Sequence, residues 1–328
     1  MRVAATLVVM VAMVWGDGGA ATAPRASVAP AASEGCKKPA RSPREVRVRM
    51  TSGGARRAYW QHVPPAARDH PPLPVVIDLH GYLESAAVHK AHSALGPFGD
   101  QHGFVTITPE GSGPIPRWET PFDSLDMRFF GDLLDQVGKT LCIDERRVFV
   151  TGYSNGAFMT SAVACVYADR VSAVAPVAGI RAVPGCTPSR AVPVVGFHGT
   201  ADEWIEFTGG LGPEVDALPQ PDQQQTRATA EHTESGLSIP GVAAAWATRN
   251  GCASAPREES VEADVRLVRY DCPRHADVRL YEIAGGGHTW PGSAFSRAIE
   301  PYVGPTTFSI DANAVMWRFF QRHPLPRS

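Results

Sequence analysis

The sequence predicts a single α/β domain: one mostly parallel central sheet with helices packed on both faces. Three observations carry the prediction. Five near-continuous apolar runs, each bounded by turn residues, follow one another between Pro74 and Gly199, as strands buried on both faces do. Segments of helix length separate them, and strand alternating with helix argues for a parallel sheet covered on both sides. No internal repeat or break in composition divides the 328 residues into two units.

Met1-Arg2 followed by the apolar stretch Val3 to Trp15 reads as a sorting signal over residues 1–23, short of the roughly 20 apolar residues that span a bilayer. Residues 24–42, rich in Ala, Pro and Ser, read as a flexible leader, and the catalytic domain is expected over 43–328. Short strands are expected at Val46 to Met50, which alternates apolar and charged residues, and at Arg57 to Val63. The buried strands are "PVVIDLH" (Pro74 to His80), "FVTITPE" (Phe104 to Glu110), "RVFVTG" (Arg147 to Gly152), "AVAPVAG" (Ala173 to Gly179) and "VPVVGFHG" (Val192 to Gly199). Helices fall at Ser85 to Leu95, Ser124 to Thr140 and Asn155 to Ala168. The polar stretch from Gly210 to Gly236 reads as a surface loop. A helix capped at Ser238, with Pro240 early and Gly251 past its end, comes next. Two strands, Asp264 to Tyr270 and Asp277 to Ile283, precede a last helix, Asp311 to His323, whose Val315, Met316, Phe319 and Phe320 face the sheet.

The formal net charge is −2 and no cluster of Lys or Arg stands out, so neither a nucleic-acid backbone nor an anionic membrane is an expected partner. An even set of six cysteines in an apparently exported chain favours disulfides, and six allow 15 pairings. Cys252 and Cys272 sit near the ends of one helix-to-strand segment and are the first pair expected. Cys165 with Cys186 and Cys36 with Cys142 complete the set, although Cys165 also fits a small buried residue on a helix. No Cys-x-x-Cys or Cys/His spacing of zinc type occurs, so neither metal nor cofactor is expected.

Gly152-x-Ser154-x-Gly156, in "VTGYSNGAFM", has the spacing of a nucleophile elbow, where a serine sits on a strained turn between strand and helix. The pattern alone is weak, but here a strand run precedes it and a helical segment follows. A lone serine is a poor nucleophile and needs a histidine base oriented by a carboxylate. Asp202 lies just after the strand "VPVVGFHG", with Glu203 and Glu206 as local rivals, and His288 lies just after "VRLYEIAGGG". Their chain order, Ser, acid, His, is the one this architecture uses. His198, beside the acid turn, fits a hydrogen-bonded structural role better. The backbone N–H of Asn155, and that of Tyr82 in the glycine turn within "DLHGYLES", are the expected donors to the oxyanion formed on attack.

"LHGYLES", "RVFVTGYSNGAFM", "VSAVAPVAG", "PVVGFHGTADEWIEFTGG", "NGC" and "GGGHTWPG" together resemble the secreted α/β-hydrolase esterases that include polyhydroxybutyrate depolymerase-like and feruloyl or acetylxylan esterase-like proteins. The resemblance runs from about Arg44 to the C-terminus and implies Ser154 as nucleophile, Asp202 as acid and His288 as base. The chain departs from the family in "RWETPFDSLDMRFF", on the substrate side. Tyr82, Trp118, Tyr153, Trp204 and Trp290 fall near the site loops and are the candidate substrate contacts. The expected activity is hydrolysis of a small or oligomeric ester, polyester or plant cell-wall ester, through an acyl-enzyme. A serine peptidase of the same fold and a binding protein on a hydrolase scaffold are the alternatives.

Overall fold

The computed structural model describes residues 29–40, 42–69, 71–219 and 236–326. The expected signal over residues 1–23 and most of the polar loop, residues 220–235, lie outside the described residues.

One ten-stranded sheet organises the described residues, in the order β1-β2-β4-β3-β5-β6-β7-β10-β9-β8. The strands are β1 (Arg44–Ser52), β2 (Ala55–Val63), β3 (Leu73–Leu79), β4 (Val105–Pro109), β5 (Ile143–Tyr153), β6 (Ala173–Val177), β7 (Val194–Gly199), β8 (Arg257–Glu262), β9 (Val265–Arg269) and β10 (Val278–Ile283). From β4 to β10 the six central neighbours run parallel. The outer pairs β1–β2 and β9–β8 are antiparallel. Every residue of β3, β4, β6 and β7 is buried, which is why those segments read as apolar runs rather than alternations. The half-exposed pattern of β1 follows from its place at the edge.

The helices are α1 (Ala86–Ser93), α2 (Leu95–His102), α3 (Leu125–Thr140), α4 (Asn155–Val166), α5 (Ile239–Arg249), α6 (Ala294–Ala298), α7 (Glu300–Val303) and α8 (Ala312–Phe320). Serine side chains at Ser85, Ser124 and Ser238 accept amide hydrogens from Val88, Met127 and Gly241, capping α1, α3 and α5. The central strands β3 and β5 divide their side chains between two cores. Val75, Ile77, Val148 and Val150 meet the buried face of α3, while Val76 and Phe149 pack with Phe319 and Phe320 of α8. α4 is buried on nearly all sides, as expected of the apolar helix beneath the elbow.

Three features differ from the sequence expectation. The segment expected as one helix from Ser85 to Leu95 breaks at Ala94, which takes a left-handed φ of 51°, and a second helix continues to His102. β8 has no counterpart in that expectation; all its residues are exposed, so it has no apolar face to advertise. The leader is packed in part. Ala32 bridges Asp144, Ser33 donates its hydroxyl to the carbonyl of Leu141, and Cys36 is bonded to Cys142. A disulfide and hydrogen bonds to β5 and the turn before it hold a segment whose Ala/Pro/Ser composition reads as mobile. The other bonds join Cys165 to Cys186 and Cys252 to Cys272, completing the expected set.

Candidate active site

Ser154 occupies the single residue between β5 and α4, with φ 55° and ψ −117°. This is sparsely populated backbone for a residue with a Cβ, costing of order 1–3 kcal/mol. The turn is held by the Ser154 amide, which donates to Val177 O, and by the Ser154 carbonyl, which accepts from Ala157 and Phe158. Its glycines are sterically required. A Cβ on Gly152 would lie 2.5 Å from Gly156 O, and one on Gly156 would lie 2.2 Å from Leu79 O. Ser154 is half-buried while its neighbours on both sides are buried, so it is the exposed point of the turn.

Asp202 follows β7 and His288 follows β10, strands that pair side by side. Asp202 Oδ2 lies 2.8 Å from His288 Nδ1. Its other oxygen accepts the amides of Trp204 and Ile205, both at 2.9 Å. Burial raises the Asp202 carboxyl, but His288 beside it reverses the effect and holds it below its usual value. Glu203 and Glu206 have no such bond to His288 among the described residues. The backbone fixes His288 as well: its amide donates to Val303 O at 2.6 Å, and its carbonyl accepts the Tyr153 hydroxyl at 2.5 Å. His198 is buried, with Nε2 2.8 Å from Ile205 O and 3.4 Å from Asp202 Oδ2. Burial lowers its pKa, and a neutral ring donating to Ile205 suits the structural role expected of it.

The turn after β3 is rigidly built. Gly111 donates its amide to His80 Nε2 at 2.8 Å, so the ring's proton sits on Nδ1 and points at Gly81 O, 2.7 Å away. Burial drives the His80 pKa down to about 4, which keeps the ring neutral. The Gly81 amide donates to Glu84 Oε2, that of Leu83 to Pro116 O and that of Glu84 to Gly81 O. The Tyr82 amide has no acceptor among the described residues, and Asn155 supplies the first amide of α4, where helical N–H groups lack intrahelical partners. The Asn155 side chain does separate work: Oδ1 accepts from the Trp118 amide at 2.7 Å, and Nδ2 donates to the Trp118 carbonyl.

The five aromatic candidates divide. Tyr82 and Trp204 are half-buried at the surface. The Trp204 ring lies 6.0 Å from that of His288, nearly parallel to it. Trp118, Tyr153 and Trp290 are instead packed inside. Trp118 is 3% exposed and gives its indole N–H to His80 O, and Trp290 is 1% exposed and gives its indole N–H to Asn313 Oδ1. Their aromatic character serves the walls of the site rather than its mouth. Sequence reading passes over two features. Tyr302, exposed on α7, accepts the Trp204 indole N–H at its carbonyl. Glu84, His89 and His92 form a buried group whose donor atoms lie within 4.8 Å of one another. The His89-x-x-His92 spacing, which places both rings on one helical face, is its available signal.

The fold is that of the α/β-hydrolases. Over 78% of the chain the structure superposes on 98% of the acetyl xylan esterase from Aspergillus awamori, with a TM-score of 0.51 and 15% identity. No family model matches the chain. In sequence the chain is similar to proteins named as esterases and a depolymerase. Feruloyl esterase B of Piromyces equi is 26% identical over 66% of this chain and 39% of its own length. NocK of Nocardia uniformis subsp. tsuyamanensis, which carries an esterase name, is 29% identical over 74% and 73%. Poly(3-hydroxyalkanoate) depolymerase C of Paucimonas lemoignei is 33% identical over 37% of this chain and 30% of its own length. The chain thus spans well under half of two of these three relatives.

Proposed function

We propose that the chain is an exported serine esterase with Ser154 as nucleophile, His288 as base and Asp202 as the acid that orients it. The observation that carries the reading is the conjunction of a half-exposed, strained Ser154 at the strand-to-helix turn with a buried Asp202–His288 pair at 2.8 Å. His288 Nε2 takes the Ser154 proton as Oγ attacks the ester carbonyl. The amides of Tyr82 and Asn155 receive the oxyanion; such a donor is worth about 10² to 10³ in turnover. His288 then protonates the leaving alcohol. Water, activated by the same ring, hydrolyses the acyl-enzyme and restores the serine. Three disulfides, together with the sorting signal expected from Met1 to Trp15, support action outside the cytoplasm. The relatives' names favour feruloyl, acetylated-sugar or hydroxyalkanoate esters, and Tyr82 and Trp204 flank the place where an acyl or alcohol group would rest.

Ser154→Ala should abolish hydrolysis of p-nitrophenyl butyrate while leaving the fold intact by circular dichroism; unchanged turnover would sink the mechanism. Methyl ferulate, acetylated xylan and hydroxybutyrate oligomers, run beside a matched amide, separate the ester classes from one another and from a peptidase.

A further inference from the structure

The turn that carries Tyr82 is underlain by a chain of buried polar groups that the hydrolytic steps do not use. Glu84 Oε2 accepts the Gly81 amide and lies 2.9 Å from His89 Nδ1. Its other oxygen lies 2.9 Å from His92 Nδ1. Beyond His89 the chain ends on Asp78, 2.8 Å from His89 Nε2 and also the acceptor of the Ser93 hydroxyl. Beyond His92 it ends on the Ser296 hydroxyl, 2.8 Å from His92 Nε2, which in turn accepts the amide of Trp290, two residues after His288. The Ser293 hydroxyl closes the circuit by donating to the carbonyl of His92. Apart from the Glu84 edge, these groups are sealed from solvent.

Such a chain is costly to bury unless each member is satisfied, and here charge and geometry agree. Burial would strip the proton from His89, but a carboxylate on each ring nitrogen reverses that and raises its pKa to about 10. An imidazolium has two N–H donors, and Asp78 and Glu84 accept one each. Burial would raise Glu84, yet the flanking rings hold it well below the ordinary carboxylate range. His92 is lowered by burial, which outweighs Glu84, so it spans Glu84 and Ser296 as a neutral ring. The donor spacing alone could suit a cation, but these atoms satisfy one another.

We propose that Glu84 is a positioning residue: clamped by His89 and His92, its carboxylate fixes the His80-Gly81 peptide, and with it the turn whose next amide, that of Tyr82, is the oxyanion donor, and ties that turn, through His92 and Ser296, to the loop bearing His288. The proposal rests on the serine-esterase reading. Its consequence is that Glu84 touches no reacting atom yet governs how well the developing oxyanion is met.

The test compares wild type, Glu84→Gln and Glu84→Ala. An amide oxygen at this position can still accept from Gly81; a methyl group cannot. Glu84→Ala should lower kcat on p-nitrophenyl butyrate about 10²-fold, the scale of a lost oxyanion donor, with KM changed less than about threefold. Affinity for a trifluoromethyl ketone, whose adduct carries the oxyanion, should fall in parallel, and Glu84→Gln should restore most of both. Rates are to be expressed per serine titrated with a phosphonate ester, which removes any unfolded fraction. Amide hydrogen exchange across residues 79–85 reads the clamp without reference to turnover: protection should fall in Glu84→Ala and be retained in Glu84→Gln. Wild-type kcat per titrated site in Glu84→Ala, or unchanged exchange, overturns the proposal. Stoichiometric tightly bound metal in the purified wild type, whose removal by chelator abolishes the exchange protection, overturns it as well. If wild type hydrolyses no ester while the exchange pattern holds, it is the esterase reading that fails and the clamp that stands.

Discussion

The molecule contains two arrangements of histidine, carboxylate and serine that share a vocabulary and differ in nearly everything else. At one, Asp202 and His288 stand at the tips of neighbouring parallel strands beside a half-exposed Ser154 in strained backbone. At the other, Glu84, His92 and Ser296 are joined by bonds of 2.9 and 2.8 Å, yet Ser296 is wholly buried and already accepts the Trp290 amide. The buried chain has the more complete hydrogen bonding and no route for a substrate. Residue types and pairwise distances therefore do not make a nucleophile; access and an unfilled pair of amides do. The two arrangements touch at Tyr153, whose ring lies 4.5 Å from that of His92 and 4.9 Å from that of His288.

The sharpest way to break the comparison is to neutralise one carboxylate at the open arrangement. Asp202→Asn should leave packing intact but favour the wrong tautomer of His288, lowering kcat by about 10⁴-fold, the scale seen when a triad acid is replaced by its amide. A loss under tenfold in steady-state assays of folded protein would mean that Asp202 is structural.

The buried arrangement should announce itself in stability instead. His89 is raised from 6.5 to about 10, so its contribution is whole below pH 6.5 and is lost as pH climbs toward 10. The groups facing it are Asp78 from β3, Glu84 from the turn, His92 from its own helix, and the Trp290 ring from the loop of the base. Urea unfolding should therefore weaken across this window by a few kcal/mol, at about 1.4 kcal/mol for each tenfold difference in proton affinity between the folded and unfolded chain. Glu84→Gln, with one flanking charge gone, should flatten the decline; identical slopes in both proteins would contradict the ionic character of the chain. Smaller again, Ser296→Ala leaves the Trp290 amide without its acceptor and should cost about 1–3 kcal/mol in thermal or urea unfolding. Its effect on kcat should stay well below that of Asp202→Asn.

The open arrangement is legible in sequence because its parts sit where the fold demands special residues. Gly152 and Gly156 are forced by backbone contacts under 2.6 Å, and Asp202 and His288 each follow a recognisable apolar strand. The sheet is legible for the same reason: strands buried on both faces cannot hide their composition. The sealed arrangement leaves only the His89-x-x-His92 spacing as a trace. His89 and His92 look like ordinary polar positions on a short helix of low apolar content, and their partners Ser293 and Ser296 lie about 200 residues further on. Nor does composition distinguish a free leader from one held by Cys36 and Ser33, or Trp118 and Trp290 as walls from Tyr82 and Trp204 as a mouth. Exposure is settled by tertiary contacts that a local pattern does not contain.

The smallest expected effect probes the seam between the two arrangements. Tyr153→Phe keeps the ring, and with it the contacts to His92 and His288, but removes the hydroxyl that donates to the His288 carbonyl at 2.5 Å. The bond is buried, and deleting its donor leaves that carbonyl unsatisfied, a cost of about 1–3 kcal/mol to the fold. Because the carbonyl belongs to the base's own residue, part of this should appear as looser placement of the imidazole. A fall in kcat of about tenfold or less, with KM unchanged, is expected on p-nitrophenyl butyrate. Combining Tyr153→Phe with Glu84→Ala then measures the seam itself. Rates that multiply would show two independent supports, whereas a double variant no slower than the worse single one would show that the oxyanion turn and the base are held as one unit.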